Sequence, residues 1–354
     1  MTDIDLIVKE VAKVVSGDPG KVNIDSRSAG SGDVFFALKG SAFDGRLFIK
    51  SALEKGVSLV VSDTVPADLT ARETAFVRLT PCVRKTLNLV LREIYRDPTA
   101  GMKTFGVTGT NGKSTTVFLV HTIFKNLGFN PGLISTVSNI IEGDELVKAS
   151  YTTPDSPALY KYLSAMKVSG KDALSLEISS HALDQYRFYG ILLDSLMLTN
   201  IPPEHLDYHV TMEEYLKAKV KIFEMLKVNA VAAVNTDDPL FAASLHLMKA
   251  PALYTFAVKR DADFMAKDIR FSPESMSFKV ESRKFGNFLL ETKLIGLYNV
   301  YNVLGAVAAI LPLGFERKKI IEAVSGFKPV AGRLERVEHK GDFHIYIDYA
   351  HTPD

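Results

Sequence analysis

With 354 residues, the chain exceeds the ordinary size of a single core, so two or more domains are expected. Lys and Arg number 42 against 41 Asp and Glu, and no block of one sign stands out, which excludes a protein held to nucleic acid or a membrane surface by bulk electrostatics. A hydrophobic share of 47% excludes wholesale disorder, and the single Cys82 excludes an internal disulfide framework and a cysteine-built metal site.

Residues 1–98 read as a small α/β unit. Ile4 to Val15 has helical periodicity, Asp33 to Leu38 is extended, Leu47 to Lys55 is helical and Ser58 to Val61 is a strand. Val83 to Tyr95 is a further amphipathic helix that stops at Arg96-Asp97-Pro98, where proline disfavours helical geometry in the residue before it. From Lys103 the strands become continuous apolar runs alternating with helices, the pattern of a parallel sheet covered on both faces. These runs are Phe105-Gly106-Val107, Gly132 to Ile134, Ala173 to Leu176, Ser195 to Leu198 and Ala230 to Val234. Between about Ala252 and Lys293 the alternation shortens to hairpin-like strands; helices return at Asn299 to Leu311 and Lys318 to Ser325. Phe343 to Tyr349, apolar on both faces, reads as a buried strand. The expected fold class is therefore α/β: a small N-terminal α/β domain (1–98), a central domain (99–333) with a mainly parallel sheet plus a short hairpin region, and the start of a third domain (334–354). No apolar run approaches the roughly 18 residues of a spanning helix, and the N-terminus is acidic, so a cytoplasmic protein without membrane or nucleic-acid partners is expected.

Gly106-Val107-Thr108-Gly109-Thr110-Asn111-Gly112-Lys113-Ser114-Thr115 places a glycine-rich turn between a buried strand and a helix. Backbone amides in such a turn point inward and the helix terminus adds positive partial charge, which suits phosphate. Lys113 would reach the outer phosphates and the Ser114 hydroxyl would ligate magnesium. The strict phosphate-loop pattern would put its first glycine at Val107; Gly106 and Gly109 supply the flexibility instead. Such a central domain is of the P-loop type. Two strand ends then carry polar residues, Glu177-Ile178-Ser179-Ser180-His181 and Leu198 to His209, where ligands of open parallel sheets collect. In the expected helix Met212 to Leu226, Lys219 falls inside the apolar arc. Either it snorkels to solvent, or its amine faces the site with its charge removed or modified.

Taken together, these segments resemble the Mur ligase family. The matching pieces, in family order, are Gly106 to Ser114, Tyr151-Thr152-Thr153-Pro154-Asp155, Glu177 to Gln185, Leu198 to His209, Asn235-Thr236-Asp237-Asp238, Gly296 to Asn302, Gly332-Arg333-Leu334-Glu335 and Asp348 to Asp354. The resemblance implies an ADP-forming amide ligase of peptidoglycan precursor synthesis. It would add a diamino acid, meso-diaminopimelate or L-lysine, to UDP-N-acetylmuramoyl-L-alanyl-D-glutamate through an acyl phosphate. It assigns ATP to Gly109, Thr110, Asn111, Gly112, Lys113, Ser114, Thr115, Asn299, Asn302, Arg333 and Asp348, and magnesium to Ser114, Glu177 and His205. Lys113, Glu177, His205 and Lys219 are the implied catalytic set, with Lys219 carbamylated by CO2 so that it too can bind metal. For the UDP-sugar peptide it points to Ile24, Ser26, Ser41, Ala42, Phe43, Thr152, Thr153, Ser179, Gln185 and Arg187. It implies a monomer. It also implies a third domain that presents the amino acid, so the chain alone is expected to bind both nucleotides and to ligate poorly.

Overall fold

The computed structural model describes residues 3–40, 43–149, 151–201, 216, 219–339, 341 and 343–350. By packing they divide into two units. One comprises Met1–Ala100, Pro154–Ser164 and Gln185–Ile191, the other Gly101–Thr153, Ala165–Asp184 and Leu192–Asp354.

In the first unit, β1 (Val22–Asn23), β2 (Val34–Phe36), β3 (Leu59–Ser62) and β4 (Val77–Leu79) form a parallel sheet in sequence order. Phe35 and Val60 of that sheet pack with Ile49 and Ala52 of the helix Ile49–Glu54 in one apolar cluster. The terminal helices are α1 (Asp3–Val14) and, after α2 (Ile49–Glu54) and α3 (Ala71–Thr74), α4 (Val83–Ile94). Val83, Leu87, Val90 and Leu91 recur at helical spacing and are buried, which fixes which face of α4 turns inward. Helix α3, too short for its periodicity to show, is closed by a reciprocal capping box between Thr70 and Glu73. The expected helix Leu47 to Lys55 begins as a tighter turn, Gly45–Phe48, before α2.

The second unit is built on a nine-stranded sheet. After β5 (Lys103–Thr108) come α5 (Lys113–Asn126), β6 (Pro131–Ile134), the small hairpin β7 (Ser138–Asn139) and β8 (Val147–Lys148), β9 (Ala173–Glu177), β10 (Leu193–Leu198) and β11 (Leu226–Asn235). Strands β12 (Ala252–Ala257), β13 (Phe264–Phe271), β14 (Met276–Glu281) and β15 (Phe288–Thr292) complete the set. The sheet order is β15-β14-β13-β12-β11-β10-β5-β9-β6, parallel from β6 to β13 and antiparallel thereafter. The hairpin-like region is thus an extension of the main sheet. Helix α5 and the helix Leu297–Ile310 supply Val117, Val120, Val303 and Val307 to a core shared with Phe105, Leu133, Met197 and Phe256. The strand residues alternating with those that face this core, among them Leu174, Leu176, Leu196 and Leu198, are buried as well, which explains why the central strands read as unbroken apolar runs.

Two expectations about element ends are corrected. The expected helix Met212 to Leu226 closes as a 3-10 turn over Lys221–Met225, and Leu226 already begins β11. The expected buried strand near Tyr349 is β17 (Ile345–Ile347), which pairs antiparallel with β16 (Glu335–Val337) and leaves Ile345 and Ile347 exposed.

Candidate active site

Strands β5 and β9 are neighbours in register, with Val107 opposite Glu177, so the turn after β5 and the carboxylate ending β9 emerge at the same sheet edge. At the turn, Gly109 and Gly112 have φ of 146° and 84°, conformations that side chains rarely adopt. A Cβ on Gly109 would lie 1.8 Å from Thr199 Oγ1, and one on Gly112 would lie 2.1 Å from Asn302 Oδ1. The sequence therefore needs glycine twice here, for curvature and for close approach of its neighbours. Asn302 in turn donates to Asn299 Oδ1 at 2.9 Å, and Asn299 donates to the Ile295 carbonyl, so both predicted nucleotide asparagines are fixed on one helix.

The loop is held from β10 by Asn200. The Thr110 amide donates to the Asn200 carbonyl and the Asn111 amide to Asn200 Oδ1, both at 2.9 Å, and Asn200 Nδ2 donates to the Asn111 carbonyl at 3.3 Å. Behind it, Asn235 donates to the Thr199 carbonyl, and the Ile201 amide donates to Asp238. Asp237 beside them accepts from the Val258, Lys259 and Arg260 amides and the Tyr301 hydroxyl. Burial pushes its carboxyl up, but those hydrogen bonds outweigh burial and hold it below the usual range. Asn200 carried no predicted role; its place just beyond a strand's carboxyl end was the available signal.

Lys113 and Ser114 open α5. Lys113 Nζ donates to the Thr110 carbonyl at 2.6 Å, folding over the loop, while Ser114 Oγ donates to both carboxylate oxygens of Glu177. Glu177 is 1% exposed and also accepts from the Thr136 amide and hydroxyl, each at 2.9 Å. Thr136, another residue without a predicted role, hydrogen-bonds Thr152 Oγ1 at 2.9 Å. Thr153 Oγ1 donates to the Glu177 carbonyl and accepts from the Ser179 amide. Arg333 Nη2 reaches Ser114 Oγ at 3.5 Å, and its guanidinium stacks over Tyr349 at 5.1 Å; Asp348 accepts from the Leu334 amide at 2.6 Å. Thr115 is buried in the first turn of α5.

Lys219 lies in helical backbone with none of its surface exposed, so the snorkelling alternative is corrected. Among the described residues no three His, Cys, Asp or Glu side chains cluster. His205, Ser41 and Ala42 lie outside the described residues.

In the first unit, Ile24 and Ser26 come just after β1. The Ser26 carbonyl accepts from Lys55 at 2.7 Å, and between them Asp25 pairs with Arg27, whose hydrogen bonds bring the Asp25 carboxyl down to about 2. Phe43 is 79% exposed. Gln185 and Arg187 belong to this unit, joined by Arg187 Nε and Nη2 donating to Gln185 Oε1 at 3.1 and 3.0 Å.

Residues 107–310 match the Mur ligase middle domain, and residues 20–93 match the Mur ligase family catalytic domain. The chain belongs to the Mur ligase family. This Mur ligase is 38% identical over 346 residues to a UDP-N-acetylmuramoyl-L-alanyl-D-glutamate--2,6-diaminopimelate ligase of Geobacillus thermodenitrificans (strain NG80-2), covering 96% of the chain and 69% of that protein. It is 35% identical over 363 residues to the enzyme of the same name from Listeria monocytogenes, covering 100% of the chain and 71% of that protein. A solved structure of a ligase of that name superposes with a TM-score of 0.77 at 28% identity, over 94% of this chain and 67% of the other. Among the described residues no helix is long and apolar enough to cross a membrane.

Proposed function

We propose that this Mur ligase works as the MurE branch of its family does, joining a diamino acid to UDP-N-acetylmuramoyl-L-alanyl-D-glutamate at the expense of ATP. The observation that carries the reading is the Ser114–Glu177 contact at the mouth of the glycine-rich loop, 3.1 Å at its shorter arm, beside the lysine that opens α5. A carboxylate is a poor acylating agent at neutral pH because its oxygen is a poor leaving group. Phosphorylation solves this. The γ-carboxylate of the D-glutamate attacks the γ-phosphorus, ADP departs, and the amine of the diamino acid then displaces phosphate and loses a proton. Loop amides other than the Thr110 and Asn111 amides that Asn200 engages, together with Lys113, hold the phosphoryl oxygens, and the helix that carries Asn299 and Asn302 flanks the adenine side; alignment is the protein's main contribution.

A hydroxyl and a carboxylate are hard oxygen donors, so Ser114 and Glu177 fit magnesium, with His205 as a further ligand. When bound, magnesium supplies charge neutralisation on the transferring group. The buried Lys219 is the position for carbamylation: its neutral amine would add CO2 and release a proton, giving an oxygen ligand. Arg333 and Asp348 lie on the nucleotide side. Ile24, Ser26, Ser41, Ala42, Phe43, Gln185 and Arg187 serve the UDP-sugar peptide, with Thr152, Thr153 and Ser179 near its reacting end. In this reading residues 1–98 bind the UDP-substrate, 99–333 bind ATP and 334–354 begin a ligase domain, in a cytoplasmic monomer.

Isothermal titration with magnesium-ATP and, separately, with the UDP-sugar dipeptide tests the reading. Saturable binding of both is expected. Failure to bind the UDP-sugar dipeptide overturns it, and tripeptide formation with meso-diaminopimelate against L-lysine identifies the amine.

A further inference from the structure

Gln185 and Arg187 sit on a segment whose backbone is unusual. Tyr186 between them has φ of 51°, a left-handed conformation that a bulky side chain adopts only when its surroundings impose it. Helix α4 supplies the constraint. Asn88, with no exposed surface, donates from Nδ2 to the Tyr186 carbonyl at 2.8 Å, to the Arg84 carbonyl at 2.9 Å and to Ser156 Oγ at 2.9 Å. Ser156 passes the contact on by donating to the Arg187 carbonyl at 3.0 Å. One turn earlier on the same helix, Lys85 Nζ lies 4.7 Å from the ring centres of both Tyr186 and Tyr189, which meet edge-on at 85°. A cation in the corner of two aromatic faces is attracted to both, so it ties the two tyrosines to α4 and to each other.

The carbonyls of Tyr186 and Arg187 and the rings of Tyr186 and Tyr189 are therefore all fixed from outside the segment. Between these anchors the side chains of Gln185 and Arg187 are joined to each other by the Arg187 guanidinium donating to Gln185 Oε1. We propose that Lys85 is a positioning residue for the UDP-sugar peptide: it clamps Tyr186 and Tyr189 so that Gln185 and Arg187 are held ready for the substrate before it arrives. The proposal rests on the reading that Gln185 and Arg187 contact that substrate. Preorganisation of this kind raises affinity because the ordering cost is met in the free protein.

Lys85 is half-buried and its replacement should leave the fold intact, so Lys85→Met, which keeps the stem and removes the cation, is compared with Lys85→Arg, which keeps a cation able to stack. For each protein, titrations with UDP-N-acetylmuramoyl-L-alanyl-D-glutamate and with magnesium-ATP are read beside the thermal midpoint. Expected for Lys85→Met is a dissociation constant for the UDP-sugar dipeptide raised about threefold to tenfold, with ATP binding unchanged, and recovery towards wild type in Lys85→Arg. A Lys85→Met protein that binds the UDP-sugar dipeptide as wild type does, or that loses both ligands alike, overturns the positioning role. A wild-type protein that does not bind the UDP-sugar dipeptide overturns the functional reading, and the proposal with it.

Discussion

The hydroxyl of Ser114 stands 3.2 and 3.1 Å from the two carboxylate oxygens of Glu177, although 63 positions separate them in the chain. Sheet topology brings them together: β5 and β9 are adjacent and parallel, so the turn leaving β5 meets the last residue of β9. Replacing Glu177 with Gln keeps the shape and removes the charge. Magnesium-dependent ATP binding should weaken about tenfold to a hundredfold, the loss usual for a charge-assisted contact. Titrations of ATP with and without magnesium check this, and an unchanged magnesium effect would remove Glu177 from the metal site.

Two glycines with similar backbones should respond differently to alanine. Gly112 has φ of 84° and its added Cβ would press on Asn302 Oδ1, which cannot swing away because Asn302 is buried and bonded to Asn299. Gly128 has φ of 97° with nothing within 4 Å of such a Cβ. Gly128→Ala should cost about 1 kcal/mol of stability from backbone strain alone and leave ATP binding untouched. Gly112→Ala should lower ATP affinity at least about tenfold, as a displaced phosphate loop would. Melting curves and titrations on both proteins decide the matter; equal ATP affinities would refute the steric argument.

Lys219 should carry a carbamate when bicarbonate and magnesium are supplied. Carbon-13 bicarbonate should then give a carbamate resonance that disappears in Lys219→Ala. If the position supplies an oxygen ligand, as proposed, that variant should regain part of its lost activity with a short added carboxylate. A spectrum without the resonance in wild type would argue for a plain amine.

His121 gives a pH dependence to stability. Burial, the leading cause, together with nearby Lys171 and Lys125, brings its imidazole down to about 4 from 6.5, against the opposing hydrogen bond with the Gly132 backbone. Its folded-state pKa is depressed, so the unfolded chain binds more protons between those values. Its contribution is complete above about 6.5 and is lost as pH falls towards 4. The full effect is about 3 kcal/mol by linkage. Denaturant unfolding of wild type and His121→Gln across that range should show a shallower slope in the variant; parallel slopes would contradict the account.

Features carried by neighbouring residues were legible in the sequence. The Gly109 to Ser114 turn is contiguous, and the strands around it announce themselves because both faces are covered. Lys219 stood out for the same reason, as a charge inside an apolar arc, and it is buried. Features that depended on distant partners escaped. Alternation over Ala252 to Lys293 reports one buried face but cannot say which strand lies beside it, so the join of β12 to β11 was not visible. Leu226 fits both a helical and a strand period, and only the structure assigns it to β11. Ile345 and Ile347 are apolar yet exposed, because among the described residues β17 pairs with β16 alone. Asn200 and Thr136 look like ordinary loop residues until their contacts are seen.

The membership of Pro154–Ser164 and Gln185–Ile191 in the first unit bears on how the protein comes into being. On a ribosome, α4 is complete long before Ser156 and Tyr186 have been synthesised, so the Asn88 amide must wait for two of its three acceptors. A fragment ending near residue 100 lacks both of those contacts and keeps only the Arg84 carbonyl as a protein acceptor for that amide. The native packing of the N-terminal unit therefore includes segments synthesised much later, and truncations that respect the apparent sequence boundary should be less stable than fragments with those later segments restored.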